Sequence, residues 1–175
     1  MSNNLLRVLF CLFVLGLTSS ISSVLGAADE HGPPSSPDAT IKDQENADVV
    51  ARVHRLVNEF RGGHGLAPFT LDPIISAEAS EHSADMARHA GWISHRGFKQ
   101  RLQDIRHKIP YRTAAENVAA NLGYDNPARA AVEGWKESPE HRKNMLGDFS
   151  LTGIGIARGE KGGYFFTQIF VQPFK

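Results

Sequence analysis

The sequence is almost without cysteine and carries no excess of either charge. The only cysteine is Cys11, and no Asn-X-Ser/Thr acceptor for N-glycosylation occurs. Lysine and arginine together number 19 and are balanced by 19 aspartates and glutamates. The clustered basic excess that is typical of nucleic-acid-binding domains is therefore missing, and we expect no nucleic-acid partner. A disulfide framework is excluded as well.

Long hydrophobic runs are also scarce. The longest, residues 8–17, is too short to cross a bilayer comfortably, which takes about 20 residues. It follows Arg7 and is itself followed by small residues, which is the pattern of a secretory signal peptide. We expect residues 1–28 to be that signal, with cleavage after Gly26 or Ala28; an uncleaved anchor is the alternative. The mature protein would be secreted, extracellular, free of cysteine and without an integral membrane segment.

Composition divides the rest of the chain into two parts. Residues 29–43 are rich in proline and serine and have few apolar side chains, so they are expected to form a flexible linker. Residues 44–175 contain enough apolar side chains for one core. We expect a single folded domain there.

The first two thirds of that domain has helical patterns. Apolar residues recur at helical spacing over residues 44–61, which predicts an amphipathic helix. A capping residue followed by proline predicts a helix start, and this pair occurs three times: Asp72-Pro73, Asn126-Pro127 and Ser138-Pro139. A further short helix is expected from Phe98.

Strand patterns dominate the C-terminal part. Residues 114–121 are predicted to form a strand, and alternation after Gly147 predicts a β-hairpin with a turn at 159–163. Helices followed by a terminal hairpin favour an α+β domain in which helices pack over a small antiparallel sheet.

Four segments, in this order, resemble the CAP superfamily (cysteine-rich secretory, antigen 5 and pathogenesis-related proteins; the SCP domain). They are residues 81–87 with 93–95, residues 115–119, residues 135–146, and residues 149–156 with 164–170. The resemblance covers about residues 48–172 and is closest to the cysteine-free, bacterial-type members. It implies a three-layer α-β-α sandwich with a small antiparallel sheet and a central cleft.

The resemblance also implies a ligand cleft lined by two histidines and two acids. By motif, His95, Glu116 and His141 match three of these positions. Where many members have the second acid, this chain has Ser138, so Glu137, one residue earlier, is the candidate for the fourth position.

Two imidazoles and a carboxylate form a set that suits a divalent metal ion, zinc above all. His95 and His141 are therefore candidate metal ligands. The resemblance implies a binding protein for a lipid, a sterol or another small ligand, with a role in defence and an extracellular protein or cell-wall partner. Two alternatives stay open: a zinc-dependent hydrolase acting on peptide or cell-wall substrates, and a recognition protein whose surface loops bind another protein.

Several of these residues also have a purely structural interpretation. Glu116 suits an acceptor of backbone hydrogen bonds as well as it suits a functional acid. The other structural predictions are a hydrogen-bonded core histidine at His82, a core side chain at Trp135, a helix N-cap at Ser138, and close packing at Gly153 and Gly155.

Overall fold

The structure, a computed structural model, describes the backbone of residues 37–89 and 93–174 and, within these ranges, the side chains from Ile41 onward. The predicted signal peptide, residues 1–28, and residues 29–36 of the predicted linker lie outside the described residues. Among the helices of the described part, none has both the length and the apolar content that a membrane span needs.

The first helix, α1, is longer than the sequence pattern predicts. It covers Pro37–Gly62, so the linker boundary predicted at residue 43 is corrected: residues 37–43 are helical. Proline suits a first helical turn because the N–H that it lacks would have no helical partner there. The side chains of residues 41–45 are exposed. Apolar periodicity could not reveal these turns because they contribute no buried face.

Helices α2 and α3 begin where the sequence predicts. α2 covers Pro73–Arg88, and the Asp72 carboxylate accepts hydrogen bonds from two backbone N–H groups of the first turn, at 2.9 and 3.1 Å. α3 covers Phe98–Lys108 and follows Gly97, whose φ is 75°. Glycine adopts this left-handed conformation without steric cost.

Two more helices follow the remaining Asn-Pro and Ser-Pro pairs. α4 covers Pro127–Glu137, and the Asn126 side chain caps it by accepting a hydrogen bond from a first-turn N–H at 3.1 Å. α5 covers Pro139–Met145. Ser138 stands at the N-cap position of α5 as predicted, but its side chain makes no capping hydrogen bond.

Four strands form one sheet: β1 (Thr70–Leu71), β2 (Tyr111–Asn121), β3 (Leu151–Arg158) and β4 (Tyr164–Pro173). Their order is β1-β3-β4-β2. The predicted hairpin, β3 with β4, is antiparallel, and β2 joins β4 antiparallel. The two-residue strand β1, which the sequence analysis did not predict, pairs parallel with β3.

The helices cover both faces of this sheet. α2 packs on β3 and β4, and α3 lies beside β2, whereas α1 and α4 pack on each other and against β3 and β2. Alternate side chains of β4 enter different cores: Phe166 and Phe170 join the α1–α4 core, and Ile169 and Val171 join the α2–α3 core. The architecture is the predicted α+β, three-layer α-β-α sandwich.

Two glycines of β3 allow α2 to lie directly on the sheet. A Cβ added at Gly153 would overlap the Ile75–Ser76 backbone, and one at Gly155 would overlap the Ala79–Ser80 backbone. The predicted close packing at these glycines is confirmed. This packing fixes α2 directly against β3, next to β4, which in turn pairs with the strand β2.

Candidate functional site

Strand β2 lies at one edge of the sheet and carries the predicted acid. Successive side chains of a strand point to opposite faces. Glu116 contacts α3, and Asn117 contacts α5. Elements from both helical layers therefore meet around this one edge strand.

The Glu116 carboxylate is buried, since its side chain is 1% exposed, and both of its oxygens have hydrogen-bond partners. Oε1 lies 2.9 Å from His95 Nδ1 and 2.9 Å from Arg101 Nη2. Oε2 accepts hydrogen bonds from Arg101 Nη2 at 2.7 Å and from Arg101 Nε at 3.0 Å. A metal ion could reach this carboxylate only by displacing one of these partners.

Arg101 is a site residue that the sequence analysis missed. Its side chain is only 11% exposed, although it belongs to α3, whose apolar side chains Leu102 and Ile105 pack into the core beneath β2. A signal was present, since Arg101 falls among the apolar residues that predicted the helix. A charged residue on a buried helix face needs a partner, and Glu116 is that partner.

His95 lies in the segment between α2 and α3, and its side chain is 52% exposed. The neighbouring Ser94 carbonyl lies 2.7 Å from His82 Nε2. His82 is buried in α2, so the predicted hydrogen-bonded core histidine is confirmed. Burial lowers the pKa of His82, which favours the neutral ring. This contact anchors the segment that presents His95 to solvent.

His141 lies in α5, facing His95. The centroids of the two rings are 6.4 Å apart, and the ring planes are inclined by 48°. Burial lowers the pKa of His141, the nearby His95 lowers it further, and Glu140 acts in the opposite direction. The neutral imidazole, which is the form that binds metal ions, is thereby favoured.

Two asparagines hold α5 against β2. Asn117 Nδ2 donates to the His141 carbonyl at 3.0 Å, and Asn144 Nδ2 donates to Asn117 Oδ1 at 2.9 Å. Asn144 also donates to the Glu116 carbonyl at 3.3 Å. The sequence analysis quoted both asparagines within the family motifs but assigned them no role; a polar residue next to Glu116 in a predicted strand was the available signal.

Two further residues from the sequence analysis make no hydrogen bond to this group among the described residues. Glu137 is exposed at the end of α4, and within the described residues no hydrogen bond or ion pair joins it to His95, Glu116 or His141. Trp135 is buried and donates its indole N–H to the Val118 carbonyl at 3.0 Å. The prediction of a core tryptophan is confirmed.

We call His95, Glu116 and His141 the histidine site. Zn–N bonds of about 2.0–2.1 Å at tetrahedral angles place the centroids of two ligating imidazoles roughly 5 Å apart, so the observed 6.4 Å is wider than a shared zinc ion requires. The described part of the chain has no group of three histidine, cysteine, aspartate or glutamate side chains placed to share one ion. The structure thus brings two imidazoles near each other, and the two rings would have to move closer together to share a zinc ion.

The sequence model of the cysteine-rich secretory protein family, CAP, matches residues 54–172. Two Bacillus subtilis (strain 168) proteins are also similar. YlbC, named an uncharacterized membrane protein, is 35% identical over 123 residues, which is 67% of this chain and 32% of YlbC. YkwD, named an uncharacterized protein, is 32% identical over 123 residues, which is 69% of this chain and 46% of YkwD. The chain thus spans less than half the length of these curated relatives.

Solved structures with the same fold include an extracellular SCP-domain protein from Bacillus anthracis. Its TM-score is 0.64 at 31% identity, and the match covers 81% of this chain and 45% of that one. A cysteine-rich secretory protein from Staphylococcus aureus has a TM-score of 0.58 at 20% identity, covering 73% of this chain and 39% of that one. The second similarity bears on the fold alone. Both structures match the α-β-α architecture described above.

Proposed function

The chain belongs to the cysteine-rich secretory protein family, CAP, and on that premise we propose that it is an extracellular binding protein for a lipid, a sterol or another small ligand. The signal-peptide pattern of residues 1–28 supports this location, as does the similarity to the extracellular Bacillus anthracis protein. We propose an extracellular protein or cell-wall material as a further partner, and a role in defence.

The observation that carries the ligand-binding proposal is an apolar cavity of about 410 Å³ between the end of α2, the end of β2 and the β3–β4 turn. Its size falls within the range of about 300–1,000 Å³ that is usual for small-molecule sites. Its walls include Ala87, Ala120, Leu122 and Phe165, and none of the residues predicted to line the ligand cleft is among its lining residues. Leu122 is strongly exposed, so a bound apolar ligand would cover surface that now faces water.

A binding assay with a fluorescent fatty acid and a fluorescent sterol tests this proposal on the purified protein. We expect Leu122→Asp to weaken binding by about tenfold or more, because it replaces apolar contact area with a charge. Ile41→Asp is the control, since Ile41 is also exposed but lies on the first turns of α1. Absence of binding of either probe, or equal binding by Leu122→Asp, would contradict the proposal.

We propose further that His95 and His141 hold a divalent metal ion, zinc above all. Glu116 would act behind His95, orienting its ring rather than coordinating the ion, since Arg101 and His95 engage both of its oxygens. A zinc ion at this position would polarise a bound water or ligand group. With two protein ligands, the remaining positions would stay open to such a group.

Zinc titration by calorimetry tests the metal proposal. We expect one site in the wild type and at least tenfold weaker binding in His95→Ala and in His141→Ala. His89→Ala is the control, because His89 is exposed at the C-terminal end of α2. If the two site variants bind zinc as the control does, the assignment of the metal ligands is wrong.

The alternative, a zinc-dependent hydrolase of peptide or cell-wall substrates, has weaker support. Such an enzyme needs a general base in addition to the metal ligands. Glu116 has no free oxygen for that task, and Glu137 is not linked to the site. We therefore expect no turnover of peptides or peptidoglycan by the zinc-loaded protein. Turnover that a chelator abolishes would favour the hydrolase instead.

A further inference from the structure

We propose that Arg101 is a positioning residue of the histidine site: it holds Glu116 as a pure hydrogen-bond acceptor and thereby keeps the His95 proton on Nδ1. The Nε2 lone pair of His95 is then left available to a metal ion or ligand. The inference rests on the binding role proposed for His95. It gives a function to a side chain outside the histidine and acid set that the family resemblance implies.

The Arg101 guanidinium makes a multidentate hydrogen-bonded ion pair with the Glu116 carboxylate. Nε and Nη2 donate to Oε2 at 3.0 and 2.7 Å, and Nη2 also donates to Oε1 at 2.9 Å. The third nitrogen, Nη1, donates to the Arg96 carbonyl at 2.8 Å. One planar cation therefore fixes both the carboxylate and the backbone that carries His95. A lysine ammonium, as a point charge, would not reproduce this geometry.

Gly97 makes room for this arrangement. Its φ of 75° is unfavourable for a residue with a side chain, and a Cβ there would lie 3.2 Å from Arg101 Nη1. Gly97 thus permits both the turn into α3 and the approach of the guanidinium to the Arg96 carbonyl. The segment from His95 to Gly97 is shaped around the Arg101 side chain.

The position of the proton follows from the hydrogen-bonding capacities of the groups. Opposite a permanently charged guanidinium, Glu116 is a carboxylate, which can only accept hydrogen bonds. His95 Nδ1, at 2.9 Å from Glu116 Oε1, must therefore donate. In the neutral form of the ring, which carries one proton, that proton is on Nδ1 and Nε2 is the unprotonated nitrogen.

Stability alone does not explain why a charged pair is buried here. Replacing such a pair by well-packed apolar residues of similar volume is often neutral or stabilising. What apolar replacements could not do is hold the His95 ring by a hydrogen bond and fix its tautomer. Orientation of a ligating histidine by a carboxylate behind it is a common arrangement in metal sites.

Long-range ¹⁵N–¹H NMR of the imidazoles tests the proposal on the metal-free, ligand-free protein at about pH 8, well above the ordinary histidine pKa of about 6.5. We expect the wild type to hold His95 almost entirely as the Nδ1–H tautomer. In Arg101→Met the Nδ1–H fraction should fall to about half or less, because Glu116 is no longer held as an acceptor. Arg101→Lys keeps the positive charge but cannot donate from two nitrogens to the carboxylate, so it should give an intermediate Nδ1–H fraction.

Lys99→Met removes an exposed cation from the same helix and should leave the tautomer unchanged. A wild-type His95 that is mainly Nε2–H would overturn the proposal, whether or not any variant folds. So would an unchanged tautomer in both Arg101 variants. Because the measurement uses protein without metal, an Arg101-dependent tautomer combined with no zinc uptake would refute the metal function and leave this inference standing.

Discussion

Removing the charge of Glu116 should be far more costly than removing that of an exposed acid. Glu116→Gln keeps the shape of the side chain but leaves the Arg101 guanidinium, which is 11% exposed, without its counter-ion. Breaking a buried pair in this way costs about 3–5 kcal/mol, because an uncompensated charge remains buried. With a urea dependence of about 1–3 kcal/mol/M, the unfolding midpoint should fall by roughly 1–5 M.

Urea unfolding followed by circular dichroism measures this difference, and Glu45→Gln is the matched control. Glu45 pairs with Arg158 at 3.0 Å, but both side chains are largely exposed, so its loss should cost about 0–1 kcal/mol. The double variant Arg101→Met with Glu116→Leu should recover much of the loss, since neither charge remains. If Glu116→Gln unfolds within about 0.5 kcal/mol of the Glu45→Gln control, the pair is not buried as described and the reasoning fails.

Three further predictions concern the framework of the site. Gly155→Ala should destabilise the fold by about 1–3 kcal/mol or more, because the new methyl group would overlap the α2 backbone. Gly134→Ala has open space around the new methyl group and should stabilise α4 by up to about 1 kcal/mol. Thermal unfolding compares the two variants, and equal changes in stability would contradict the close packing at Gly155. Trp135→Phe should cost about 1–3 kcal/mol, because the buried Val118 carbonyl loses its donor; a midpoint equal to that of the wild type would show that the hydrogen bond does not contribute. Because burial holds the pKa of His82 below its ordinary value of 6.5, the unfolded chain takes up the proton first, and stability should fall as the pH drops below 6.5. His82→Gln should flatten that dependence in urea unfolding at about pH 7.5 and about pH 5.5; an equally steep dependence would contradict it.

The sequence predicted most of the secondary structure because local signals dictate it. Asp72 and Asn126 cap helices by accepting backbone hydrogen bonds, and both sites were recognised from the residue pair alone. The first turns of α1 and the short strand β1 were missed. Neither buries an apolar stripe of its own: residues 41–45 are exposed, and both residues of β1 are exposed. Periodicity can reveal only elements that have a buried face.

In the candidate site, too, residues marked by local motifs were predicted, and a residue whose role depends on a tertiary contact was missed. Family motifs pointed to His95, Glu116 and His141, which the structure places around one edge strand. Arg101 could not be assigned, because its partner lies 15 residues away in another element. Glu137 was chosen by its distance from Trp135 along the chain; it is exposed at the end of α4, and its place in the cleft stays a prediction. Helical spacing marked Arg101 as a charged residue on a buried face, but only the tertiary structure identifies Glu116 as its partner.

X-ray absorption at the zinc edge of the zinc-loaded protein tests whether His95 and His141 hold the ion. We expect two imidazole nitrogens at about 2.0–2.1 Å, with oxygen donors completing the shell, and the loss of one imidazole in either His95→Ala or His141→Ala. A spectrum that is the same in the variant lacking both histidines would contradict it, because zinc would then be bound elsewhere.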